Sequence, residues 1–247
     1  MSDVYAVIGG SGLYALDDRF QIENNKSLTT PYGDISADLA VGELNERRVV
    51  FLPRHGSSHH IPPHKINYRA NLWALHKLEV SHVIAVNAVG GIDYGPHSLV
   101  LPDQIIDYTS DRAHSYYDGE TSQVEHIDFS LPYSKLLREK IILAGQELNI
   151  DINPSATYGC TNGPRLETSA EIMKMRRDGC NIIGMTGMPE AALARELEME
   201  YASIAMVVNW CSGITDSVLD MDEIRLILDQ GMSSVMQLIG ATLEQSA

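Results

Sequence analysis

Apolar and polar positions follow two rhythms along this chain. Val4 to Ile8 is a short apolar run that stops at Gly9-Gly10-Ser11-Gly12, which predicts a strand followed by a turn. Arg48 to Leu52 predicts a second strand, ended by Pro53. From Tyr68 to Leu78 the apolar residues fall at helical spacing, through Leu72, Leu75 and Leu78 with Trp73 beside them. Val83 to Val86 reads as a strand running into Gly90-Gly91, and Ser134 to Leu148 as a helix rich in Leu, Lys and Glu. Thr168, with Glu171 three residues later, opens a helix to Arg177 in a capping-box pattern. Ile182 to Met185 is a strand. Pro189 to Glu198 is a helix with Pro in its first turn. Tyr201 to Val208 is a buried strand, and Asp222 to Leu243 a long amphipathic helix.

Strands alternating with helices predict an α/β fold with a mainly parallel sheet. No linker-like stretch, repeat or low-complexity tract interrupts the pattern, so one domain over residues 1–247 is expected. Ligands of such folds sit beyond the carboxyl ends of the strands. Five places qualify: Gly9–Gly12, Pro53–His64, Asn87–Gly91, Asn209–Gly213 and Met185-Thr186-Gly187.

Charge narrows the partners. Lys and Arg number 18 against 33 Asp and Glu, a formal net charge of −15. Such a surface repels nucleic-acid phosphates and anionic lipid, although a local pocket can still take a small anion. Cys160, Cys180 and Cys211 lack C-x-x-C spacing and read as buried reduced thiols. The start shows no basic-then-apolar leader, and no apolar stretch approaches about 18 residues, so a cytoplasmic protein is expected.

The five places carry the candidate chemistry. Gly9 to Gly12 lets backbone N–H groups approach an anion, and Ser11 adds a hydroxyl. Gly10 to Ala15 also fits G-x-G-x-x-A, but Leu16 to Phe20 lacks the amphipathic helix that a dinucleotide fold needs. His55, His59, His60 and His64 suggest a metal, yet no carboxylate or thiolate lies among them. A phosphate clamp by Arg54 with His55 suits the stretch better, because a guanidinium offers forked donors to two oxygens; a solvated basic loop is the alternative. Asn87 to Gly91 offers backbone donors or is a tight turn. Glu167 stands before a helix, where it serves either a ligand or the helix dipole. Met185 and Thr186 suit a sugar face or fill the core. Asn209 either forms a turn or reads a polar ligand.

Taken in order, Gly9-Gly10-Ser11-Gly12-Leu13, Pro53-Arg54-His55-Gly56, Ile61 to Asn71, Gly163-Pro164-Arg165 and Gly184-Met185-Thr186 resemble the trimeric purine nucleoside phosphorylase and methylthioadenosine phosphorylase family over nearly the whole chain. The resemblance implies a mixed, partly barrel-like sheet flanked by helices. It also implies a homotrimer with active sites near subunit interfaces. Ser11, Arg54, His55, Asn87, Ala88 and Thr186 are implied around phosphate, with Asn87 where Thr or Ser is usual. Met185 is implied under the ribose, and His126 in a neighbouring subunit's sugar pocket.

The base pocket separates subfamilies. Adenine-reading members resemble Asp-x-Asp where this chain has Asn209-Trp210-Cys211, and carry Ser where it has Glu167. A 6-oxopurine presents an N1–H that a carboxylate accepts. Its O6 accepts from an amide, whose own oxygen takes a proton at N7. Adenine reverses the first two roles, and such a site discriminates by roughly 10⁴–10⁵. Inosine-using members place a His near the 5′-hydroxyl, where Met221 is expected here; an apolar pocket suits a methylthio group. The resemblance thus implies phosphorolysis of 5′-methylthioinosine to hypoxanthine and 5-methylthioribose 1-phosphate. Asn209 and Glu167 would be catalytic and phosphate the co-substrate, with no metal or redox cofactor. An inosine and guanosine phosphorylase, a methylthioadenosine phosphorylase and a non-catalytic nucleoside-binding protein stay open.

Overall fold

A computed structural model describes residues 3–10, 20–119, 124–216 and 220–245. Its first half holds β1 (Tyr5–Gly9), β2 (Gln21–Lys26), β3 (Thr29–Thr30), β4 (Gly33–Asp34), β5 (Leu39–Leu44), β6 (Arg47–Pro53), α1 (Tyr68–Lys77), β7 (His82–Gly91), β8 (Leu99–Val100) and β9 (Gln104–Asp107). The second half holds α2 (Lys135–Leu148), β10 (Ile152–Asn153), β11 (Thr157–Cys160), α3 (Ser169–Arg177), β12 (Ile182–Gly184), α4 (Gly187–Glu196), β13 (Glu200–Trp210) and α5 (Met221–Glu244).

The main sheet runs β10-β8-β13-β7-β1-β6-β5-β2, with β12, β11 and β9 branching from β7. The central pairs β1–β6, β1–β7 and β7–β13 are parallel, whereas β2–β5, β5–β6 and β12–β7 are antiparallel. The sheet is therefore mixed and mainly parallel at its centre. Period-two alternation divides its residues between two cores. Ala6 and Ile8 pack with α1 and α4 on one face, while Tyr5 and Val7 pack with α2 and α5 on the other. Each aliphatic side chain removed from water here contributes about 1.5–3 kcal/mol.

Helix ends follow their local chemistry. The Thr168 side chain accepts from the Glu171 N–H while Glu171 reaches back, the expected capping box. Asn67 and Ser134 cap α1 and α2 in the same way, and Asn149 closes α2 with φ of 54°. One expectation needs correction. Asn87–Gly91 is strand, not turn, because Gly90 and Gly91 pair with β13 on one side and β12 on the other. The regular helix of α4 starts at Pro189 as expected, since Met188 leaves helical geometry, and it ends at Glu196, two residues early. Strand β2, exposed along nearly its whole length, has little apolar pattern and is held by its ladder to β5.

Candidate active site

A cavity of about 490 Å³ opens between the carboxyl ends of β1, β6, β7 and β13 and the inner face of α5. Its lining includes His55, Ala88 and Thr186, Glu167 and Asn209, and Met185 and Met221. Residues as far apart in the sequence as Gly10 and Met232 thus meet at one place. Ser11 and its loop lie outside the described residues.

The part of the cavity around His55 and Thr186 is held by buried networks. Arg54 is 1% exposed. Its Nε donates to Glu190 Oε2 at 2.8 Å, its Nη2 to Glu190 Oε1 at 2.9 Å and its Nη1 to the Val86 carbonyl at 3.1 Å. The Tyr201 hydroxyl donates to the same Glu190 Oε1 at 2.9 Å. The fork expected to grip two phosphate oxygens is therefore occupied by Glu190. Nη1 remains nearest the cavity floor, 3.7 Å from where a Cβ on Gly10 would lie. Burial alone would lower the Arg54 pKa, but the Glu190 carboxylate overrides it and holds the guanidinium charged.

His55 is neutral for a different reason. Burial, then the charge of Arg54, pushes its pKa down to about 4, against the opposing pull of the Ile61 carbonyl. Nδ1 lies 2.8 Å from that carbonyl and must donate to it. Nε2 therefore presents a lone pair, 3.6 Å from the Gly10 Cβ position. With Arg54 neutralised by Glu190, this part of the cavity offers dipoles and hydrogen-bonding groups more than net charge.

Asn87 lies beneath Thr186. Its Nδ2 donates to Thr186 Oγ1 at 2.7 Å, and its Oδ1 accepts from Ser203 Oγ at 2.7 Å. Both Asn87 and Ser203 are at most 2% exposed. Thr186 Oγ1 thus accepts from Asn87 and also has the Tyr158 hydroxyl beside it. Asn87 therefore helps to fix the orientation of Thr186. Ala88, one residue on, faces the opposite side of β7 and opens onto the cavity.

Glu167 and Asn209 are more lightly tethered. Glu167 is partly buried and accepts from Thr161 Oγ1 at 2.6 Å. One Asn209 N–H donates to the Trp210 carbonyl at 2.7 Å, leaving its second N–H and its Oδ1 for a ligand. Asn209 follows a register shift in β13: Val207 pairs with Val89 and Asn209 with Gly90, so Val208 is an extra residue. Met206, Val208 and Asn209 consequently all line the cavity. A side chain at Gly90 would come within 2.7 Å of Cys211 Sγ, so only glycine fits beneath Asn209. Burial, then Glu167, pushes the Cys211 thiol up to about 12, which leaves it protonated and unreactive.

Met185 reaches the cavity because Gly163, at φ of 60°, clears its path; a Cβ there would lie 2.4 Å from Met185 Sδ. Met221 starts α5 at the cavity mouth, 54% exposed, with Ile224 and Leu228 behind it. His126 is exposed and does not line this cavity. Among the described residues no three His, Cys, Asp or Glu side chains converge as metal ligands would.

Several supporting residues were not anticipated. Glu190 stands as one charge in the apolar run Met188 to Leu193, a pattern that signals a buried partner. Thr161, Ser203 and Tyr201 carry no such signal. Neither does Arg112, which donates to the carbonyls of Thr161, Asn162, Met185 and Met188 and so pins the loops bearing Glu167 and Thr186.

The chain is similar to known proteins over almost its full length. It is 46% identical over 245 residues to the probable S-methyl-5′-thioinosine phosphorylase of Pseudomonas syringae pv. tomato, covering 98% of this chain and 99% of the relative. It is 43% identical to the 6-oxopurine nucleoside phosphorylase of Pyrococcus furiosus, covering 96% and 91%. Its fold matches methylthioadenosine phosphorylase from Schistosoma mansoni in complex with tubercidin, with a TM-score of 0.91, 29% identity and coverage of 99% and 91%. The model of the phosphorylase superfamily matches residues 4–244. On these likenesses, which run over nearly its whole length, the chain belongs to the phosphorylase superfamily.

Proposed function

We propose that this chain phosphorolyses 5′-methylthioinosine, giving hypoxanthine and 5-methylthioribose 1-phosphate. The observation that carries this reading is the shared cavity, lined by Glu167 and Asn209, by His55, Ala88 and Thr186, and by Met185 and Met221. A carboxylate acceptor beside an amide fits the N1–H, O6 and N7 of a 6-oxopurine. The apolar α5 wall fits a thioether in place of a 5′-hydroxyl. The names of the relatives support the same base and sugar.

In this reading the C1′–N9 bond breaks first and its electron pair leaves with the purine. Glu167 and Asn209 stabilise the departing base by hydrogen bonds that strengthen as its charge grows. A phosphate oxygen, fixed by Thr186, the Ala88 N–H and Arg54 Nη1 while a phosphate hydroxyl donates to His55 Nε2, then forms the new bond to C1′ from the opposite face, and the proton that phosphate gives up balances the one the purine gains. Holding phosphate there removes much of the entropy of encounter. Ser11 is proposed to complete the phosphate cradle. Nothing is oxidised or reduced in this step, and the residues named supply its contacts without a metal; dialysis against EDTA should then leave the rate unchanged.

We also propose a cytoplasmic homotrimer in which His126 enters a neighbour's sugar pocket. Light scattering should then give about three times the 27.2 kDa chain mass, and His126→Ala should raise KM for nucleoside; a monomeric active enzyme overturns this part. The deciding test is initial rates with 5′-methylthioinosine, inosine and 5′-methylthioadenosine, each with and without phosphate. Fast phosphate-dependent use of methylthioinosine alone supports the whole reading. Equal use of inosine removes the apolar sugar pocket. Preference for methylthioadenosine overturns the base reading, and binding without phosphate consumption overturns catalysis.

A further inference from the structure

Thr161 directly follows β11 and is 8% exposed. Its own N–H donates to the Gly184 carbonyl at 2.9 Å, and its carbonyl accepts from Arg112 Nη2 at 3.2 Å. Its backbone is thereby fixed to both β12 and the loop that carries Arg112. The hydroxyl has one hydrogen, and that hydrogen meets Glu167 Oε1 at 2.6 Å. A distance this short is typical of a hydroxyl donating to an ionised carboxylate.

The neighbouring cation does not perform this task. Arg165 stands two residues before Glu167, yet both its terminal nitrogens bind Glu171, at 2.8 and 2.7 Å. A guanidinium on Glu167 would orient the carboxylate and also cancel its charge. A hydroxyl orients one oxygen and leaves the charge in place. The second oxygen is then aimed by the first, as a carboxylate is planar and rigid.

We propose that Thr161 is a positioning and specificity-determining residue: its hydroxyl holds Glu167 as an oriented carboxylate, so that the site prefers a purine presenting N1–H over one presenting a bare N1. This rests on Glu167 reading the base, as proposed above. Thr161 touches no substrate and acts through Glu167.

The test compares Thr161→Val, Thr161→Ser and Glu167→Gln in the full-length protein. Each is assayed for kcat and KM with 5′-methylthioinosine and 5′-methylthioadenosine, alongside a thermal melt. A hydrogen bond to a charged group contributes about tenfold to hundredfold, so Thr161→Val should lower kcat/KM for methylthioinosine by about that factor. The ratio of 6-oxo to 6-amino rates should fall with it, and Thr161→Ser should restore both. If Glu167→Gln collapses the ratio while Thr161→Val keeps the wild-type ratio, the role of Thr161 is overturned alone. If Glu167→Gln leaves the ratio intact, the base reading falls and this inference with it. Equal loss on both substrates, unrescued by serine, would make Thr161 a structural residue only. Thr161→Ala removes the same hydroxyl and gives the same readings should the valine variant not fold.

Discussion

The two ends of the cavity are built in opposite ways. At the proposed anion end the buried polar side chains among the described residues have protein partners: Arg54 on Glu190, Glu190 on Tyr201, Thr186 on Asn87, Asn87 on Ser203. At the base end Glu167 has one hydroxyl and Asn209 one backbone carbonyl. A small anion has no shape to recognise beyond a tetrahedron, so a prearranged cradle serves it well. A base is recognised by the pattern of its donors and acceptors, and side chains with free valences can meet that pattern. Preorganisation at one end and open valences at the other divide holding from reading.

The comparison can be broken at its most buried point. Glu190→Ala leaves the Arg54 charge without a partner, and breaking such a pair costs about 3–5 kcal/mol. Urea denaturation should show that loss, with phosphate affinity falling in parallel. A variant of wild-type stability would mean that the pair does not organise this end.

Acid should act on the same end. An unfolded chain protonates His55 near pH 6.5, whereas the folded chain does so only near 4. Between those values the unfolded state binds more protons, so stability is fully present above about 6.5 and is lost as pH falls toward 4. The shift corresponds to at most about 3 kcal/mol, and burial also lowers the His59 pKa, in the same direction. Unfolding free energies of wild type and His55→Gln, measured at pH 7 and 4.5, should converge at the lower pH. Parallel curves would remove His55 from the account.

Asn87→Asp sharpens the contrast without removing volume. A carboxylate can only accept from Thr186, where the amide donated, and adds negative charge. KM for phosphate should rise about tenfold or more, by analogy with other hydrogen bonds to charged groups, while KM for nucleoside changes little. An equal rise in both would merge the two ends that are here kept apart. The smallest effect is expected at the mouth. Met221→Ala should narrow the preference for methylthioinosine over inosine by less than the about 1–3 kcal/mol of an enclosed methylene, because Met221 is 54% exposed.

The central strands, α1, α2, α3 and α5 were legible because their periodicity is strong and their caps are local. The strands missed were short, such as β8 and β10, or exposed, such as β2, where pairing decides the structure and apolar pattern does not; β5, six residues long and mostly buried, was missed as well. The β5–β6 hairpin turns on Asn45 and Glu46, both at positive φ, without the glycine that usually marks such a turn. The cavity residues were visible one by one as oddities at strand ends. Their supports were not, because Glu190 lies 136 positions from Arg54 and Ser203 lies 116 from Asn87. A hydrogen bond over that distance leaves no spacing to read. Arg54 shows the cost: its fork suited a phosphate, and only the fold reveals the carboxylate that already fills it.

The extra residue in β13 works as a phase slip. In an unbroken strand Val208 and Asn209 would face opposite sides of the sheet, and an amide at 209 would join the α1 and α4 core, where its free valences would be a liability. One inserted residue lets the same Asn follow an apolar strand yet face the ligand. A deletion of Val208 would leave every other cavity side chain in the sequence and still turn Asn209 away from the cavity. Attempts to retune the base preference by exchanging residue 209 therefore depend on keeping that slip in step.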